Sequence, residues 1–156
     1  MKNSIRITLA EIPVAKGRGK VGVNRATGRG MIFTPAKTKA YESKLRDAAS
    51  DAMAGLPPFD EPLAVYVDAF VPVPPSWSQR KQVAALAGVL HPQSRPDLDN
   101  YVKAALDALN GVVYRDDNLV IEMTARKQYS STPRIEIEVM PLSHQKRMGL
   151  LTAPKS

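Results

Sequence analysis

Ile5, Ile7 and Leu9 alternate with Arg6 and Thr8, a period of two that predicts a short half-buried strand over 5–9. Residues 63–71 (LAVYVDAFV) are apolar at both parities and rich in β-branched and aromatic side chains, which predicts a central strand. The cluster Pro72, Pro74 and Pro75 ends it. A third strand is read over 119–126, and a fourth over 134–140, where Ile135, Ile137 and Val139 alternate with Arg134, Glu136 and Glu138. Helical spacing fills the gaps. Tyr41, Leu45, Ala48 and Ala52 share one face of a helix opened by Thr34-Pro35 and stopped by Gly55. Ser76 can cap a second helix that runs to about Leu86. Leu98, Val102, Ala105, Leu106 and Leu109 form the apolar face of a third, closed by Asn110-Gly111. Strand, helix, strand, helix, helix, strand, strand is an α+β order, with a small mixed sheet packed by helices in a single domain. That domain is read over residues 1–140, and 141–156 as a basic tail.

Residues 15–30 break the pattern. They carry five glycines and five Lys/Arg with no hydrophobic period, so they read as a flexible basic loop or a short hairpin. The segment formally holds G-x-G-x-x-G from Gly17 to Gly22, but a loop-like Asn24–Gly28 follows where a phosphate-binding helix would have to open. No nucleotide cofactor is expected. Lys16, Arg18, Lys20, Arg25 and Arg29 are instead candidates for contacts to a nucleic-acid backbone, against the alternative of a merely solvated loop. Arg80 and Lys81 at the start of the second helix, and Arg95 in the loop before the third, extend that set. Trp77 reads as packing more than as a base-stacking platform, His91 as an exposed loop residue, and Tyr101 and Tyr114 as packing residues.

Charge sharpens the picture. The 156 residues carry a formal net charge of +7, but the signs are segregated. Residues 1–40 hold nine basic side chains and one acidic, residues 41–125 seven and twelve, and residues 126–156 six and two. A basic shell around an acidic middle fits a protein that attracts a polyanion and keeps carboxylates where it binds. The chain has no cysteine and two histidines, which excludes disulfide scaffolds, thiol catalysis and the usual zinc sites. No apolar run approaches the ~20 residues of a membrane span, and no signal-like segment opens the chain, so a soluble cytoplasmic protein is expected.

The acidic residues gather around the third helix. Asp97 and Asp99 flank Leu98 where loop enters helix, and Asp116-Asp117 sit on the turn before the strand at 119. The helix between them is ~18 Å long at about 1.5 Å per residue, so the two pairs converge only if the following strand runs back beside it. Carboxylates are the one hard-cation ligand set this composition allows, and Lys103, four residues after Asp99, could neutralise charge on a phosphate. Plainer readings stand beside this. Asp97 or Asp99 can be an N-cap, Asp99–Lys103–Asp107 an exposed i,i+4 ladder, and Asp116-Asp117 turn chemistry.

The stretch Arg95–Val120 (RPDLDNYVKAALDALNGVVYRDDNLV) closely resembles the signature of the RusA family of Holliday junction resolvases. That signature is a basic-Pro-Asp-x-Asp-Asn run, a lysine four residues after the second Asp, an Asp-Ala-Leu, and an Asp-Asp before a strand. Here they are Asp97, Asp99 and Asn100, then Lys103, Asp107-Ala108-Leu109 and Asp116-Asp117. IPVAKGR (Ile12–Arg18), TPAKTKAYE (Thr34–Glu42) and PPSWSQRK (Pro74–Lys81) resemble the phage and prophage branch, so the likeness spans about residues 5–140. The resemblance implies Asp97, Asp99 and Asp117 as ligands of Mg²⁺ or Mn²⁺, Asp116 in support, and Lys103 as the catalytic lysine. It also implies a homodimer that binds a four-way DNA junction and nicks two opposed strands symmetrically. A junction-binding architectural protein without catalysis, and a nuclease with broader taste for flaps or forks, are the rival readings.

Overall fold

The computed structural model describes residues 3–17, 20–33 and 35–144, and of Lys20 and Phe33 the backbone alone. Arg18, the Thr34 cap and the tail from residue 145 lie outside the described residues. The elements in order are β1 (Ile5–Leu9), β2 (Lys20–Val23), β3 (Gly30–Phe33), α1 (Ala36–Met53), β4 (Leu63–Val71), α2 (Gln79–Leu86), α3 (Leu98–Leu109), a 3₁₀ turn (Asp117–Leu119), β5 (Val120–Tyr129) and β6 (Arg134–Pro141). The architecture is α+β with a mixed sheet, as the element order implies. Among the described residues no helix is long and apolar enough to cross a membrane.

The main sheet has the order β1-β6-β4-β5. β6 is antiparallel to both β1 and β4, and β5 is parallel to β4. β4 is therefore interior, as its uninterrupted apolar run demands, although Tyr66 and Asp68 on its second face are only half-buried. One face of the sheet is dry. Ile7, Val65, Val67, Ile135, Ile137 and Val139 stand in register across it and join the core. The other face carries exposed ion pairs, Arg6–Glu138, Arg126–Asp68 and Arg134–Glu136.

α1 and α3 cover the dry face. α1 buries Tyr41, Leu45, Ala49 and Met53, so its stripe is rotated from the one the spacing marks, and Ala48 and Ala52 sit at its edge. The larger Met53 takes the inward position. α3 buries Tyr101, Ala104, Ala105, Ala108 and Leu109. Its small alanines let α1 approach closely, while Leu98 and Val102 are half-buried at the rim. α2 is capped by Ser78, whose hydroxyl accepts from Lys81 N–H at 3.3 Å, rather than by Ser76. Trp77 N–H donates to Pro74 O at 3.2 Å, so residues 74–77 form a turn and the helix opens only after it.

The basic segment forms a two-stranded hairpin, β2 against β3. Asn24 Oδ1 accepts from Ala26 N–H at 2.9 Å, and Gly28 takes a positive φ of 66°, which only glycine adopts freely. Arg25 and Arg29 stand exposed at its tip.

Candidate active site

The loop 91–97 delivers Asp97 to the start of α3 through a cis Arg95-Pro96 bond. Asp97 occupies the N-cap position with extended dihedrals, but its carboxylate makes no capping hydrogen bond. Asp99 follows in the first turn, where negative charge is favoured by the helix dipole. Both are exposed, and among the described residues neither has a hydrogen-bond or ion-pair partner. They line an open cleft of ≈ 710 Å³ with Lys16, Arg95 and Asn100. The cleft wall is fixed by Lys16 N–H donating to Asn100 O at 2.9 Å.

The i,i+4 ladder along α3 is not formed. Asp107 turns to Lys16, whose Nζ donates to Asp107 Oδ2 and Glu42 Oε1, both at 2.8 Å. Burial depresses the Lys16 ammonium, the largest single influence, but these two partners together outweigh it and leave its pKa above the ordinary value. The clamp joins the segment before β2 to α1 and α3. Lys103 is left exposed, with no partner among the described residues.

Asp116 and Asp117 follow the turn that closes α3 at its far end. Gly111 at φ 79° starts that turn, and Gly111 N–H donates to Tyr114 O at 2.8 Å. The buried Tyr114 hydroxyl donates to Leu106 O at 2.7 Å, and Phe59 N–H to Val113 O at 2.8 Å. Asp116 Oδ1 accepts from Asn118 N–H at 3.0 Å, which holds Asp116 below the usual carboxylate range. Asp117 is pushed up instead, first by the hydrogen bond it shares with Asp116, then by desolvation and by the charges of Asp116 and Asp107. Tyr114 is raised by burial and then by the charges of Asp117 and Asp107, so these groups are neighbours. Asp116 thus does the work of a turn residue, whereas Asp117 projects a carboxylate.

β5 does run back beside α3. What it carries to the helix start is Lys127, whose Nζ donates to Ser94 O at 3.0 Å and Pro96 O at 3.1 Å. Asp117 precedes the strand and stays at the other end. Among the described residues no three Asp, Glu or His side chains gather to hold a metal ion. Within one chain the structure therefore brings Asp97 and Asp99 to one cleft and leaves Asp117 outside it.

The remaining basic candidates surround the cleft unevenly. Arg95 lines it, and Arg80 is exposed on α2. Lys81 Nζ lies 4.0 Å above the Trp77 ring, which packs edge-on against Tyr129 with centroids 5.4 Å apart. Trp77 is a packing residue, Tyr101 and Tyr114 are buried, and His91 is exposed, as their sequence contexts indicate. Glu42 and Lys127 also shape the site, and the sequence carries no local sign of it. Each meets its partner over at least 26 positions of chain, and no local spacing signals such a contact.

A family model described as endodeoxyribonuclease RusA matches residues 12–140. The chain is also 33% identical over 141 residues to the uncharacterized protein YqaN of Bacillus subtilis (strain 168), covering 89% of this chain and 97% of that one.

Proposed function

The chain belongs to the RusA family of endodeoxyribonucleases, and from that premise we propose that it resolves four-way DNA junctions by paired, divalent-metal-dependent nicks. The observation that carries this reading is the pair of exposed, unpartnered carboxylates, Asp97 and Asp99, in a cleft walled by basic residues. A carboxylate at an N-cap that does not cap is available for another ligand. Asp97, Asp99 and Asp117 are the proposed ligands of Mg²⁺ or Mn²⁺, with Asp116 orienting the turn that holds Asp117. Such a cation supplies Lewis acidity at a scissile phosphate and a water of lowered pKa.

The chain's own groups do the rest. Lys103 stands one helical turn beyond Asp99, with its ammonium free to meet a phosphate oxygen as negative charge develops. Arg95 at the cleft and Arg25 and Arg29 at the hairpin tip contact the DNA backbone, with Arg80 and Lys81 on α2 adding to them. Lys16 contributes by holding the cleft wall, since two carboxylates already engage its ammonium. Two protomers match a junction's two equivalent scissile phosphates by two-fold symmetry.

Incubation of a labelled synthetic four-way junction with the protein and Mg²⁺ tests the reading. Paired nicks in opposed strands are expected. Tight binding without nicks in any divalent metal would establish the architectural alternative, and equal cutting of forks and flaps the broader nuclease.

A further inference from the structure

Beside the Asp97–Asp99 cleft lies a second hollow that none of the steps above uses. It measures ≈ 510 Å³, within the range of about 300–1,000 Å³ typical of small-ligand sites. The two spaces share a wall, since Ala15, Gly17, Arg95 and Pro96 line both. We propose that this hollow takes one unstacked nucleobase of the DNA strand whose backbone passes Asp97 and Asp99, and that it thereby favours branched DNA over intact duplex. The inference deepens the nuclease reading and rests on it for the path of the strand. Entry of the base is open to test without cutting.

The walls suit a flat, largely apolar ring. Six prolines line the hollow, among them the buried Pro13 and Pro92 and, at the shared wall, Pro96. Proline has no N–H to leave unsatisfied against such a guest, and its fixed φ keeps the wall in place before a ligand arrives. Tyr101 and Tyr129 add aromatic surface on which any base can stack. Tyr129 is held by its edge-on contact with Trp77. Tyr101 is the residue that points to a ligand. It is 4% exposed, yet among the described residues its hydroxyl has no hydrogen-bond partner. A buried tyrosine hydroxyl ordinarily finds one. The edge of a base brings donors and acceptors that can supply it.

Charge selects a nucleic acid as the occupant. Lys37 and Arg95 on the lining are exposed and have no partner among the described residues, and the lining includes no carboxylate. Lys127, also on the lining, is held by the carbonyls of Ser94 and Pro96 and so fixes the wall. Two free cations at an apolar hollow match a base flanked by its own phosphodiesters. The preference for branched DNA follows from the cost of unstacking. In intact duplex a base leaves the stack only by losing its pair and its neighbours. At a branch point the stack is already interrupted, and the cost is smaller. The hollow therefore discriminates by shape, although no residue in it reads the branch itself.

Photo-cross-linking of the full-length protein tests this. A four-way junction carries 5-iododeoxyuridine, which couples on illumination to aromatic side chains in contact with it, at one position at a time near the branch point. Complexes are formed without Mg²⁺, so that the DNA stays intact, and the adduct is mapped by peptide mass spectrometry. At least one position should give an adduct on Tyr101 or Tyr129, and the same strand in linear duplex should give none there. Adducts only outside the hollow, or none at all, overturn the proposal, and equal adducts from linear duplex overturn the selectivity. Tyr101→Phe gives a second readout, because it removes a hydroxyl that has no partner within the described chain. Its urea midpoint should match wild type, while the spread of junction affinities among the four bases at the cross-linking position should shrink by roughly 3–10-fold. An unchanged spread overturns the role of the hydroxyl. An adduct on either tyrosine in a protein that never nicks supports the hollow and rejects the nuclease reading. Paired nicks without such an adduct do the reverse.

Discussion

Replacement of Lys16 by methionine removes an ammonium and keeps most of the side-chain volume. The wild-type Nζ lies 2.8 Å from both Glu42 and Asp107, and the side chain is 20% exposed. Charge-assisted hydrogen bonds of this kind contribute about 1.5–3 kcal/mol each when well buried. Asp107 is 35% exposed, so solvent screening reduces the sum, and we expect a loss of about 1–2 kcal/mol at neutral pH. For a domain of this size that corresponds to a fall in Tm of roughly 2–8 °C. Urea unfolding followed by circular dichroism measures it. The pH dependence carries a sign. Lys16 has a folded pKa above the ordinary 10.5, so its contribution is complete below 10.5 and disappears as pH rises through the raised folded value. The gap between wild type and Lys16→Met should therefore be constant from pH 6 to 9 and close above pH ~10.5. The same variant should leave the salt dependence of DNA binding nearly unchanged, because the ammonium is occupied by carboxylates. A stability equal to wild type, or a gap that widens above pH ~10.5, would refute the clamp. A salt slope reduced by about one would make Lys16 a phosphate contact.

Three further outcomes follow from the same geometry. Asp97→Asn and Asp117→Asn should each abolish nicking and leave junction binding by gel shift intact or tighter, since neither carboxylate has a structural hydrogen bond to lose except that between Asp117 and Asp116. Normal nicking by either variant contradicts the site assignment. Arg25→Ala combined with Arg29→Ala should weaken binding and lower the slope of log K against log salt by up to about two, roughly 0.9 per phosphate contact. Ala54 ends α1 at φ 48°, a left-handed conformation that costs a Cβ-bearing residue about 1–2 kcal/mol. Ala54→Gly should raise stability by about 0.5 kcal/mol once glycine's extra unfolded-chain entropy is subtracted, and a lower midpoint in urea would contradict it.

Sequence periodicity located most elements because each buries one face. β1, β4 and β6 lie where alternation or an apolar run marks them, and α3 occupies the span its spacing outlines. The misses have physical causes. Spacing places Ala48 and Ala52 inward on α1, but the core selects the larger Met53 and the neighbouring Ala49, a rotation that apolar residues on adjoining positions cannot encode. β5 continues past 126 to Tyr129 because β4 pairs with it there, Ala69 with Lys127, Phe70 with Gln128 and Val71 with Tyr129, a long-range pairing that no local spacing signals. At the site, composition and motif identify the carboxylates, and their local roles separate on inspection of hydrogen bonds: Asp116 is a turn residue, Asp97 is not a cap. Their positions in space depend on strand direction. The parallel pairing of β4 and β5 fixes Asp117 at the end of α3 away from Asp97, and no spacing along the chain reveals that.

On the proposed function, this fold cuts junction DNA through the carboxylates at the start of α3. End-labelled four-way junction incubated with wild type and with Asp97→Asn, each with and without Mg²⁺, tests it most directly. Paired nicks in opposed strands are expected from wild type only when Mg²⁺ is present, and bound but uncut junction from Asp97→Asn. Junction left uncut by wild type in every divalent metal, or cut equally by Asp97→Asn, would contradict it.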